Sequence, residues 1–178
     1  LALYLTLTTT APSSEADTPW KHHAIDRGLS GGDGVRLQDA DGDGNLDVVV
    51  GWEQSGISRL YLNPGATLAS KMPWSLIDVG KAPHVEDAVM ADVDGDGRMD
   101  VISACEGKTK SLIVHFAPTW GTYNNVTAWT SATFPKEVVG DRKWMFSITF
   151  DVNQDGHLDI VSGGKDKDAK VAWLEAPT

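Results

Sequence analysis

Residues 39–50 read DADGDGNLDVVV, a run of aspartates and glycines that leads directly into three valines. Four aspartates fall within the first nine residues of this stretch. Two carboxylates about 5 Å apart repel each other by roughly 3 kcal/mol at an effective dielectric constant of about 20. A tight loop that contains four such groups is therefore unstable unless a cation neutralises them.

The same stretch occurs twice more in the chain. Residues 92–103 read DVDGDGRMDVIS and residues 151–162 read DVNQDGHLDIVS, so successive loops start 53 and 59 residues apart. Self-similarity at such a period predicts a repeat architecture. Each loop is also preceded by a tryptophan and followed by a proline, namely Trp20, Trp74 and Trp129, and Pro64, Pro118 and Pro177.

Each unit contains four short runs of β-branched and aromatic residues. In the second unit these runs are 75–80, 85–91, 99–105 and 111–116, and Gly, Pro, Asp and Lys separate them. Four antiparallel strands in a unit of about 50 residues are typical of a propeller blade. We therefore expect an all-β fold, a β-propeller segment over residues 17–178 with three four-stranded antiparallel blades at about 20–64, 74–118 and 129–177.

Three blades do not close a ring, because propellers have about four to eight. The segment is therefore expected to be a partial propeller or one half of an oligomeric ring. The remaining blades would come from the same chain or from a second copy. The absence of an initial Met and the stop just after Pro177 favour a piece of a longer protein.

The pattern D-x-[DN]-x-D-G-x-x-D, followed by an aliphatic strand and then by an aromatic strand that ends in Pro, resembles FG-GAP/VCBS-type repeats. Such repeats occur in integrin α-subunit propellers and in many secreted bacterial proteins. The resemblance covers about residues 20–177, with three matching loops in register. It implies one Ca²⁺ per repeat, about three in all, and a secreted or cell-surface location, periplasmic or extracellular.

The spacing within each loop suits an all-oxygen calcium site. Carboxylates at positions 1, 3 and 5 lie on one side of a tightly wound backbone, Gly at position 6 permits the turn, and position 7 offers its carbonyl. The residue at position 9 of the loop completes the shell of oxygen ligands. The expected ligands are Asp39, Asp41, Asp43, the Asn45 carbonyl and Asp47; Asp92, Asp94, Asp96, the Arg98 carbonyl and Asp100; and Asp151, Asn153, Asp155, the His157 carbonyl and Asp159.

Two alternatives to this assignment exist. An EF-hand needs an acidic ligand at position 12 and a following helix, but position 12 is Val50, Ser103 or Ser162 and strand-forming residues follow. Three solvated turns without metal remain the other alternative. Because Asn153 replaces an aspartate, the third loop is expected to bind calcium most weakly.

The charge of the chain points in the same direction. Its net charge is −10, and 11 of its 25 acidic residues lie in the three loops. Three Ca²⁺ would bring the formal charge to about −4, an ordinary value for a small domain. An acidic surface argues against nucleic acid as a partner. No apolar run is long enough to span a membrane, and the single cysteine, Cys105, is expected to be buried.

The first sixteen residues differ from the rest. Residues 1–16 begin with an apolar run and end in small and hydroxylated residues, so they are interpreted as the remnant of a signal peptide or as a linker. Extracellular calcium loops bind with a Kd of about 0.1 to 1 mM, far above cytosolic calcium, which also favours export.

The function expected from these features is that of a calcium-binding scaffold that engages an extracellular protein or a glycan. A propeller usually binds its ligand where inner-strand ends and loops meet on one face of the ring. The repeat register places there Asp33, Arg36, His84, Glu86, Asp87, Lys143 and Trp144. Trp144 could stack on a sugar, although core packing is the favoured interpretation.

Two other functions remain open at this point. Polysaccharide lyases and sugar dehydratase-like enzymes use propellers with similar loops, and His84 with Glu86 and Asp87 is the local group that resembles their chemistry. No nucleophile motif or zinc motif accompanies it, so catalysis has less support. A structural spacer in a larger surface protein is the third alternative.

Overall fold

The computed structural model of the protein describes residues 20–165, 167 and 170–176. The expected signal remnant at 1–16 and Pro177 lie outside them. Three antiparallel sheets and one four-residue helix form the described part. The elements are β1 (Gly32–Gln38), β2 (Asp47–Trp52), β3 (Ile57–Leu62), β4 (Ser75–Lys81), β5 (Val85–Ala91), β6 (Asp100–Cys105), β7 (Ser111–Phe116), β8 (Thr130–Thr133), α1 (Lys136–Val139), β9 (Trp144–Phe150), β10 (Asp159–Gly164) and β11 (Val171–Leu174).

The sheets are made of consecutive strands, in the orders β1-β2-β3-β4, β5-β6-β7-β8 and β9-β10-β11. We call them blades 1, 2 and 3. The all-β expectation is confirmed, and the arrangement is that of an open, partial β-propeller. No helix in the described residues is long and apolar enough to cross a membrane.

The blades begin at a different phase of the repeat from the one expected. Strand 75–81 pairs with β3, with Leu60 opposite Ile77, and so completes blade 1 instead of opening blade 2. A cyclic repeat shows the length of its unit but not where a sheet begins. The fourth strand of blade 2 is β8, which pairs with β7 and lies beyond the expected end at residue 118.

The blades stack face to face around their first strands. β1 lies against β5, and β5 lies against β9. We call the face of each blade that points to the next blade its leading face, and the other face its trailing face. One core joins the leading face of blade 1 to the trailing face of blade 2, and includes Val49, Leu60, Met90 and Val101. A second core, with Ile102, Trp144 and Ile160, joins blades 2 and 3 in the same way.

The tryptophans that precede the loops do not share one environment, although their recurrence at one repeat position predicts a common packing role. Trp129 is buried against Tyr123, and Trp74 is partly buried. Trp20 is fully exposed. Cys105 is buried, as predicted.

Candidate metal centres

The three Asp loops connect the first and second strands of each blade, and their backbones follow the same path. The first aspartate accepts a hydrogen bond from the amide of the sixth residue, at 3.0 Å for Gly44 to Asp39 and 2.8 Å for Gly97 to Asp92. Gly156 donates to Asp151 in the same way, at 2.9 Å. The sixth residue has φ between 86° and 95°, a region that favours glycine.

The carboxylates of two loops converge as the sequence predicts. One oxygen each from Asp39, Asp41 and Asp43 lies within 4.8 Å of the others, and Asp92, Asp94 and Asp96 form the same group. A set made only of carboxylate and carbonyl oxygens fits a hard divalent cation such as Ca²⁺. Asn153 changes the third loop, because its amide nitrogen lies 2.8 Å from Asp155 and 2.9 Å from Glu175.

The ninth aspartate of each loop has a role that the sequence does not indicate. Asp47, Asp100 and Asp159 are buried, and both carboxylate oxygens of each accept a backbone amide. For Asp100 the donors are Val93, in the loop, at 3.0 Å and Ala117, after β7, at 2.7 Å. In the described residues, the carboxylate clusters contain the first, third and fifth aspartates but not the ninth. The ninth aspartate thus holds the loop to the end of the third strand.

The seventh position keeps its backbone in place by one repeated contact. The amides of Asn45, Arg98 and His157 each donate to the fifth aspartate of their own loop, at 2.7 to 2.9 Å. The Arg98 guanidinium forms an ion pair with Asp96, and His157 is exposed. Such different side chains fit a position at which the backbone carbonyl, and not the side chain, is the group offered to a cation.

The electrostatics of the loops favour a bound cation. Burial, and then the charge of Asp43, raise the pKa of Asp41. Burial is also the main cause that raises the pKa of Asp100 to about 6, and the Asp94 and Asp92 carboxylates add to it. A raised pKa means that the ionised group lacks full compensation, which a nearby cation provides.

The residues expected to form a ligand face divide into two groups, and the first group is not accessible. Asp87 is fully buried, pairs with Arg36 at 2.6 Å, and accepts the Ser147 amide at 2.9 Å, so it joins all three blades. Trp144 is 1% exposed within the core between blades 2 and 3, as core packing predicts. Neither side chain can stack on or bind a ligand at the surface.

The second group lies at the strand ends opposite the Asp loops. His84 is exposed and has a φ of 59°. Glu86 forms a cluster of acidic side chains with Glu53 and Glu106, and burial, followed by the charge of Glu106, raises the pKa of Glu86. The negative charge of Asp33 also raises the pKa of Glu86. Lys143 is half-buried.

Sequence reasoning missed Glu53 and Glu106. Each follows the ninth aspartate of its loop by six residues, so the alignment of the two loops contains the signal. A cavity of about 460 Å³ was also missed; His22, His23, Met72 and Trp74 help to line it.

Comparison with known proteins agrees with the repeat. Residues 39–103 match a family model described as an FG-GAP-like repeat, and this stretch contains the first two Asp loops. No curated protein matches the chain.

Proposed function

Because residues 39–103 match an FG-GAP-like repeat, we propose that the chain is an exported interaction module whose blades are stabilised by calcium. The observation that carries the proposal is the convergence of three carboxylates in each of two equivalent loops. Residues 151–159 would supply a third and weaker site.

The chemistry of the loops favours Ca²⁺ over other cations. Ca²⁺ accepts six to eight oxygen ligands in flexible geometry, whereas Mg²⁺ requires a tight octahedron and retains water. A transition metal would prefer nitrogen or sulfur ligands, and the carboxylate clusters of the loops contain neither.

The proposed location follows from affinity. Calcium loops of extracellular modules work at about 0.1 to 1 mM, far above cytosolic calcium. A protein whose blades depend on such loops is therefore useful outside the cytosol. Large apolar side chains exposed on blade 3, including Phe146 and Trp173, favour a protein partner over a glycan.

The experiment is thermal unfolding with excess CaCl2, with MgCl2 and with a chelator. Ligand that binds only the folded state at ten times its Kd adds about 1.4 kcal/mol per site, so three sites add about 4 kcal/mol. We expect calcium to raise the melting temperature well above the value in chelator, and magnesium to raise it much less. Equal melting temperatures in calcium and chelator would refute the proposal.

Two substitutions locate the effect. Asp94→Asn removes a converging carboxylate, and we expect it to reduce the calcium-dependent rise. Asp141→Asn is the matched control, because Asp141 is exposed and pairs with Lys110 and Lys136 away from the loops. It should leave the rise unchanged. If both variants kept the full rise, calcium would bind elsewhere.

A calorimetric titration ranks the sites. The third loop has Asn153 in place of an aspartate, so we expect its affinity for calcium to be the lowest of the three. Asn153→Asp should increase that affinity and leave the other two unchanged. Three equal affinities in the native chain would contradict this ranking.

The lyase or dehydratase alternative gains no support from the geometry. His84 is exposed, and its expected acidic neighbour Asp87 is buried and already bonded to Arg36. This arrangement leaves His84 without that carboxylate as a partner for proton transfer.

A further inference from the structure

Blade 3 exposes an apolar leading face. Ile148, Val161 and Trp173 lie opposite one another across β9, β10 and β11, and Phe146, Gly163 and Val171 form the adjacent row. Ile148 is 52% exposed and Val171 is 81% exposed. Isolated apolar residues at a surface are ordinary, but a contiguous group of this size marks an interaction site.

The equivalent position in blade 2 is buried between blades. Ile148 pairs with Val161, two residues after Asp159, just as Val89 pairs with Ile102, two residues after Asp100. Val89 is 3% exposed in the core between blades 2 and 3. The register that buries Val89 therefore places Ile148 on an uncovered surface of the same kind.

Blade 1 exposes the complementary trailing side of its first strand, whereas Val48, Val50 and Tyr61 farther out on that face are already buried with Trp52 and Trp74. Leu37 pairs with Val48 and Val35 pairs with Val50, the positions that Met90 and Ala88 occupy in blade 2. Met90 and Ala88 are buried against blade 1. Leu37 and Val35 are more than half exposed.

The two open faces also match in polarity. Between blades 1 and 2, Ser58 on a leading face bonds Ser103 on a trailing face at 2.7 Å. The register places Val171 of blade 3 where blade 1 has Ser58, and Val50 of blade 1 where blade 2 has Ser103. Both members of the polar pair are thus replaced by valine, and Val50 is already buried, so contact between the two blades leaves no serine hydroxyl unsatisfied at this position.

The interblade ion pair is absent from the open faces. Arg36 on the leading side of blade 1 pairs with Asp87 of blade 2. On the open faces Ile148 takes the place of Arg36, and the bulge of Asp33 and Gly34, opposite Gly51, takes the place of Asp87, which lies opposite Ala104. Because a buried charge without its partner is costly, Asp33 has to keep its contact with solvent when the faces join.

We propose that the leading face of blade 3 binds the trailing face of blade 1 in a second copy of the chain. The contact continues the stacking already present between blades 1, 2 and 3, and it is head-to-tail. Such a heterologous contact either closes a ring or extends further. It uses the sheet faces, not the Asp loops, and so does not depend on the calcium proposal.

The test uses solution mass and two variants that each disable one face. The native chain should exceed its monomer mass of 19.1 kDa at high concentration. Ile148→Asp, on blade 3, and Leu37→Asp, on blade 1, should each weaken association at least tenfold. Val126→Asp is the control, because Val126 is 49% exposed in the loop between β7 and β8. It should associate like the native chain.

Mixing the two variants gives the decisive result. Each retains one intact face, so an equimolar mixture of Ile148→Asp and Leu37→Asp should form a dimer that cannot grow, at concentrations where each variant alone is monomeric. Circular dichroism checks that both remain folded. A native chain that is monomeric at every concentration, or variants that fail to pair when mixed, would overturn the proposal. The former result would mean that another kind of blade or partner covers these faces.

Discussion

The ninth aspartate of each loop stabilises the fold in a way that does not require calcium. We expect Asp100→Asn to lower the free energy of unfolding in chelator by about 2 kcal/mol, because an amide group can accept only one of the two buried amide hydrogens. Denaturant titration measures this change. Asp94→Asn is the matched variant, since Asp94 belongs to the converging cluster, and it should change stability in chelator by much less. Equal losses for the two would contradict the distinction between them.

His115 lies in a buried polar chain that sequence reasoning did not find. Its Nε2 lies 2.9 Å from Ser103, its Nδ1 lies 2.7 Å from Ser131, and Ser103 in turn bonds Ser58 of blade 1. A single histidine in an alternating strand gives no sign of its partners, because these come from two other strands and from another blade. The side chain is fully buried, so this network has a structural role.

The pH dependence of stability should report on His115. Burial lowers the pKa of His115 to about 4 in the folded protein, from an ordinary value of 6.5. The unfolded chain therefore binds the proton more tightly, and stability is lost as pH falls from 6.5 toward 4. Between pH 7 and about pH 5 the loss is about 2 kcal/mol. Urea titration of the native chain and of His115→Asn at both pH values isolates this contribution. The two proteins have the same carboxylates, so the effect of those groups on the pH dependence cancels in the difference. Equal pH slopes would refute it.

Sequence reasoning identified the converging aspartates, but it did not identify the backbone hydrogen bonds that the aspartate at position 9 of each loop accepts. The first, third and fifth positions are set by local loop geometry, which spacing alone describes. The ninth aspartate bonds an amide seventeen residues away, as in Asp100 and Ala117, and spacing within a nine-residue loop says nothing about that strand. Asp87 was misplaced for the same reason, since its partners Arg36 and Ser147 come from two other blades.

At the scale of elements, strand positions were predictable and sheet membership was not. The runs 85–91, 99–105 and 111–116 correspond closely to β5, β6 and β7. Alternation and turn residues identify a strand locally, but pairing depends on which neighbour covers it. The exposed β8, TSAT, has neither aromatic nor long aliphatic residues and was therefore missed.

A close approach between strands of two blades depends on Gly34. This residue has a φ of 56°, and a Cβ added there would lie 2.8 Å from the Asp87 Cα. We expect Gly34→Ala to lower the free energy of unfolding by about 3 kcal/mol, through backbone strain and overpacking together. Gly121→Ala is the control, because Gly121 has a φ of 81° with nothing within 4 Å, so only strain of about 1 kcal/mol applies. Equal losses, measured by denaturant titration, would show that the blades can separate at this point.

At the scale of the whole molecule, charge and ion binding are coupled. The net charge is −10, and the loops concentrate much of it. In chelator, raising NaCl from about 20 mM to about 500 mM shortens the Debye length from about 20 Å to about 4 Å, so it screens repulsion within the loops. We expect the melting temperature in chelator to rise by several degrees, and the rise in excess calcium to be smaller. The same rise in both conditions would argue against charge neutralisation by calcium.

Each sheet consists of neighbouring segments of the chain, in unbroken order from β1 to β11. Each described strand pairs with strands that are adjacent to it in the sequence. The loops that must close are therefore short, and the entropy cost of closing them is small. A blade can therefore fold soon after its residues leave the ribosome, and it can pack against the blade that precedes it. Gain or loss of one whole repeat during evolution would then add or remove one blade without changing how the strands of the other blades pair.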